Sequence, residues 1–117
     1  MSSVIVCCHN EKPTPAHIES LRANGHEVVT RQRLDDDEKQ ECELLVLGLE
    51  AIKVEDARLW ELVGKLAAKT PVIGLHDNPT EAICKAAAHA QVALVLPHSA
   101  SREVFLYAAE QLLRQLN

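Results

Sequence analysis

A chain of 117 residues, 47% of them apolar, makes one domain with a real core and leaves no room for a second. A formal net charge of −5 argues against nucleic acid as a direct partner. No apolar run approaches the ~18 residues a bilayer span needs, and no basic-then-apolar leader precedes Val4, so a non-membrane, cytoplasmic protein is expected. The cysteines Cys7, Cys8, Cys42 and Cys84 show no C-x-x-C spacing, and an adjacent pair is a poor start for a disulfide framework; reduced thiols are expected.

In chain order, the β-branched run of residues 3–8 predicts a strand, and the polar residues 9–13 predict a loop. Thr14 and Pro15 supply an N-cap and a first-turn proline for a helix that buries Ile18 and Leu21, with Ala16 beside them. Asn24-Gly25 closes that helix in a left-handed cap. Residues 26–30 form a second, more polar strand suited to a sheet edge. Residues 31–41 carry no apolar stripe and predict a stunted helix or a loop.

The run Leu44-Leu45-Val46-Leu47-Gly48-Leu49 is the most informative stretch. A strand covered on one face alternates apolar with polar, whereas one covered on both faces reads as continuously apolar. It is therefore expected in the middle of a sheet with helices on both sides. Leu59, Leu62, Val63, Leu66 and Ala67 form one face of a helix over residues 57–69. Thr70-Pro71 ends it before a fourth strand at 72–75. Asn78 as N-cap, Pro79 at N1 and Glu81 at N3 start an alanine-rich helix reaching about Ala90. A fifth strand follows at 91–96, and Ser99 or Ser101 caps a last helix to about Leu116. Five strand–helix alternations with short connections predict an α/β domain over residues 1–117, with a parallel, doubly wound sheet and a core of residues 4–6, 44–47, 72–75 and 92–95.

This pattern resembles the receiver domain of bacterial response regulators, a flavodoxin-like three-layer domain with five parallel strands in the order 2-1-3-4-5. Three stretches carry the resemblance: Leu21-Arg22-Ala23-Asn24-Gly25-His26-Glu27-Val28, Glu43-Leu44-Leu45-Val46-Leu47, and Pro71-Val72-Ile73. Pro97 matches the proline of the family's Lys-Pro step, which implies a cis bond between Leu96 and Pro97. The family's chemistry fails position by position. Its two Mg²⁺-holding acids fall on Cys7 and Cys8, and thiols do not supply the hard oxygen ligands that magnesium requires. Its phosphoacceptor aspartate falls on Gly48, its hydroxyl sensor on His76 and its phosphate-contacting lysine on Leu96. Glu50 is two residues out of register for the acceptor role. The resemblance thus implies a degenerate pseudo-receiver that is not an enzyme, binds no cofactor, and regulates through protein partners or other domains of its own chain.

Other chemistry is open at the same sheet edge. Cys7, Cys8, His76 and His98 could form a soft metal or redox site, with His9 and Asp77 nearby. A cysteine ending the first strand also suggests the phosphocysteine subunits of sugar phosphotransferase systems, but no glycine-rich phosphate loop follows it, and no arginine stands where a low-molecular-weight phosphatase needs one. His17, His26 and His89 are expected at the surface. On the last helix, Phe105, Ala109, Leu112 and Leu116 make a sufficient core stripe. Leu106 and Leu113 then belong either to a broad core face or to a homodimer interface.

Overall fold

The computed structural model describes residues 3–8, 15–31, 42–50 and 52–114, with only the backbone of Cys8 and Pro15. The order is β1 (Ser3–Cys8), α1 (Pro15–Ala23), β2 (Glu27–Arg31), β3 (Leu44–Gly48), α2 (Ala57–Ala67), β4 (Val72–Leu75), α3 (Glu81–His89), β5 (Leu94–Leu96) and α4 (Arg102–Arg114). All paired strands are parallel, in the order β2-β1-β3-β4-β5. This is the expected α/β fold, with β3 at the centre and the polar β2 at an edge. The expected loop after β1, and the stunted helix or loop between β2 and β3 apart from Arg31, lie outside the described residues.

The two-residue period of each strand divides the core into two. Val4 and Val6 of β1, Leu44 and Val46 of β3, and Ile73 and Leu75 of β4 face α1 and α4. There they meet Ile18, Leu21, Phe105, Ala109, Leu112 and Leu113. Cys7, Leu45, Leu47 and Val72 face the other way, onto Trp60 and Val63 of α2 and Ile83 and Ala87 of α3. Every residue of β3 is buried, which is what its continuous apolar run requires.

Local signals set the helix ends, with one shift from expectation. Gly25 has φ +86°, and the Gly25 amide donates to the Arg22 carbonyl at 3.0 Å, closing α1 as expected. Asp56 caps α2 by accepting from the Leu59 amide at 3.2 Å. The cap of α3 is Thr80, whose hydroxyl accepts from the Ile83 amide at 3.2 Å, so Glu81 stands at N1 and Asn78-Pro79 precede the helix. Ser101, rather than Ser99, caps α4 by accepting from the Val104 amide at 3.2 Å. On α2, Trp60 is buried and donates through Nε1 to the Lys53 carbonyl at 3.0 Å, while Leu59, Leu62 and Leu66 are only half-buried. The helix is thus rotated towards Trp60, because burying an indole whose N–H has found an acceptor removes more apolar surface than burying a leucine.

Candidate functional site

The strand register sets what stands at the carboxyl edge of the sheet, where ligands of open α/β sheets bind. Cys8 pairs with Gly48, Gly48 with Leu75, and Leu75 with Leu96. These four residues form one row across β1, β3, β4 and β5. The residues after it continue the ladder: the Leu49 amide donates to the Leu75 carbonyl and the His76 amide to the Leu96 carbonyl, both at 2.9 Å. The centre of this row, Gly48, has no side chain to accept or coordinate anything.

The polar chemistry sits one step further out and converges on His98. His98 Nε2 lies 2.6 Å from Glu50 Oε1. The His98 amide donates to Asp77 Oδ1 at 2.8 Å, and the Asp77 amide donates to Glu50 Oε1 at 3.4 Å. The His98 carbonyl accepts from His17 Nε2 at 3.0 Å. One residue therefore ties together the loops after β3, β4 and β5 and reaches α1. The Glu50–His98 pair is partly exposed, so it contributes about 1 kcal/mol at most and acts mainly by fixing the relative positions of the loops. His76 stands apart: its Nδ1 accepts from the Asn78 amide at 3.1 Å, which places the proton of the neutral ring on Nε2.

His17 is the largest departure from expectation at this edge. It is 3% exposed, not a surface residue, and stacks on Phe105 with centroids 4.2 Å apart and planes 21° from parallel. Burial pushes its pKa below the ordinary value. The bond to the His98 carbonyl offsets part of that effect, and the neighbouring His98 charge adds to it. A carbonyl only accepts, so Nε2 carries the proton. Nδ1 is buried with no hydrogen-bond partner among the described residues. The residue type argues for the surface, but positions 17, 18 and 21 share one helical face with Ile18 and Leu21, and that signal was available. His26 is likewise not a surface residue: its side chain is largely buried, with Nε2 2.5 Å from Glu110 Oε1. His89 is exposed as expected.

Cys7 is 1% exposed and lies in the core beside Leu47, on the face covered by α2 and α3. The side chain of Cys8 lies outside the described residues, and among these no group of three or more His, Cys, Asp or Glu is placed to hold a metal ion. Burial pushes the Cys42 thiol up, which makes it a poorer nucleophile. The Leu96–Pro97 bond is trans, since no described peptide bond is cis; with Leu96 in place of lysine, the resemblance does not extend to this bond. Leu113 is 5% exposed and Leu106 half-buried against the same cluster, so α4 uses a broad core face and Leu113 is unavailable to a partner. The large apolar residues that α4 does expose are Val104 and Tyr107.

No model of a known protein family matches the chain, and no curated protein matches it by sequence. Solved structures do match. A CheY-like response regulator from Mesorhizobium loti superimposes with a TM-score of 0.78 at 15% identity, over 96% of this chain and 99% of that one. A CheY-like receiver domain from Methanospirillum hungatei gives 0.77 at 14% identity, over 98% and 96%. A Burkholderia thailandensis protein assigned provisionally to pilus assembly gives 0.75 at 15% identity, over 96% and 98%. The chain has the fold of CheY-like receiver domains. At these identities the likeness establishes the fold alone.

Proposed function

We propose that this chain is a signal-transduction domain of receiver type that works without aspartyl phosphorylation, as a cytoplasmic module of a larger regulator. It is not an enzyme, and its partners are proteins or other domains of its own chain. The observation that supports this reading is Gly48 at the centre of the carboxyl-edge row, with Cys8, Leu75 and Leu96 in register beside it. An acyl phosphate needs a carboxylate there, and Mg²⁺ needs oxygen ligands around it. The nearest described carboxylate on β3 or its following loop, Glu50, is engaged by His98. Incubation with Mg²⁺ and acetyl phosphate should leave the intact mass unchanged. A hydroxylamine-labile phosphoryl adduct would show that another carboxylate accepts the group, and would end this reading.

The homodimer belongs to the same proposal, with its surface moved. Leu113 is in the core, so self-association through α4 uses Val104 and Tyr107, which lie three residues apart and are 51% and 70% exposed. Each buried apolar side chain contributes about 1.5–3 kcal/mol towards the cost of association. In sedimentation velocity at several concentrations, Tyr107→Asp should shift the parent's dimer towards monomer. A parent that stays monomeric at every concentration removes the dimer from the proposal; a dimer indifferent to Tyr107→Asp moves it off this face.

A further inference from the structure

We propose that His17 is a proton-operated latch: neutral, it holds α1 against the β5–α4 loop and the first turn of α4, and on protonation it releases them. The proposal rests on the regulatory reading above only for the use the opened state would serve.

The latch has two attachments. His17 Nε2 donates to the His98 carbonyl at 3.0 Å, and the ring stacks on Phe105 in the first turn of α4. A proton added to the ring goes to Nδ1. That atom is buried without a partner, so the new N–H would lack an acceptor and the charge would sit in a site shielded from water. Among the described residues, no carboxylate acts on His17 to neutralise it. Among the described side chains, β1 and β3 bring Val4, Val6, Leu44 and Val46 to this cluster, all of them apolar. Of the charged side chains on α4, Glu110 is paired with His26, and Arg102, Glu103 and Arg114 are exposed. On α1, Glu19 and Arg22 are also exposed. The charge that acts on His17 among the described residues is that of His98, which repels a second cation. His98 Nε2 in turn faces the carboxylate of Glu50, a contact that ties the loop after β5 to the loop after β3. Acid therefore separates α1 from an edge that otherwise stays assembled.

The sign follows from linkage. In the closed form burial lowers the His17 pKa; in an open form the ring is in water and titrates near its ordinary value of 6.5. The open form then binds the proton that the closed form refuses. Opening is favoured by up to about tenfold per pH unit below that value, until the closed form itself titrates.

The test is amide hydrogen exchange on the 117-residue chain from pH 7.5 to 5.5, corrected for intrinsic rates, comparing Val104, Phe105 and Leu106 with Ile83 and Ala87 on the opposite face. Protection at the α4 amides should fall by about tenfold per pH unit below 6.5 while that at α3 holds, and His17→Gln, which keeps a donor but does not titrate, should abolish the slope. NMR titration of the His17 ring in the parent should give a midpoint below 6.5, with loss of α4 protection in the same range; this arm stands if His17→Gln fails to fold. Parent protection independent of pH, an equal fall at α3, or a slope surviving in His17→Gln would each overturn the proposal. None of these outcomes depends on whether the domain accepts a phosphoryl group.

Discussion

Replacing Phe105 with alanine is expected to lower the stability of the domain by about 3–5 kcal/mol, enough to depress the melting temperature by roughly 10–20 °C. Phe105 is fully buried and joins α4 to the core face of β1, β3 and β4. Its removal takes away the largest buried side chain on that face, and also the ring on which His17 stacks. The lining cannot collapse into the gap easily, because Val46, Ile73 and Leu75 are fixed by the strand ladder. Since small domains are stable by only about 5–15 kcal/mol, the variant should be close to marginal at room temperature. Urea unfolding followed by the fluorescence of Trp60, which lies in the opposite half of the core, measures the loss as a lowered midpoint with an unchanged slope. A loss below about 1.5 kcal/mol would mean that α4 does not anchor this face.

Gly74 should be nearly as intolerant, for the opposite reason. A Cβ built there meets Leu49 Cδ1 at 2.6 Å, Leu49 Cγ at 3.1 Å and Val92 Cγ1 at 3.4 Å. Leu49 is fully buried and its amide is bonded to the Leu75 carbonyl, so it has little freedom to withdraw. Overpacking of this kind costs about 1–3 kcal/mol, which is the expected loss for Gly74→Ala. Because the clash is with one identifiable side chain, Gly74→Ala combined with Leu49→Ala should lose less than the sum of the two single variants. Strict additivity in that cycle would place the cost of Gly74→Ala elsewhere than against Leu49.

Much of the candidate site is legible in the sequence. Positions were legible: Cys8, Gly48, His76, Leu96 and His98 are at the carboxyl edge as expected, because strand ends follow from hydrophobic runs and a parallel sheet brings those ends to one side. Contacts were not. Glu50 reads in sequence as an acid out of register for a phosphoacceptor, and that remains so. Its engagement with His98 depends on the path of two loops separated by two helices and two strands, which no local pattern encodes. Cys7 illustrates the reverse case. At the end of a strand it looks like a candidate nucleophile or ligand, but the alternation of β1 turns it into the core beside Leu47.

The strand order came with the resemblance to receiver domains, whereas the chain by itself determined its strands, their parallel direction and the lack of a side chain at Gly48. These follow from short-range causes: continuous apolar runs that only a doubly covered sheet can bury, a glycine that accepts a left-handed helix end, and one residue lacking any side chain. The tertiary structure decided which of several chemically equivalent options was used. Leu113 belongs to the core because a helix lying on a twisted sheet buries a stripe wide enough for positions 105, 109, 112 and 113 together. Trp60 replaced Leu62 as the deep contact of α2 because its N–H found the Lys53 carbonyl. His17 is buried because Phe105 and the His98 carbonyl, more than eighty residues later, offer its ring a face and its nitrogen an acceptor. A buried polar group is tolerated only when a partner is present, and here the partner comes from the far end of the chain.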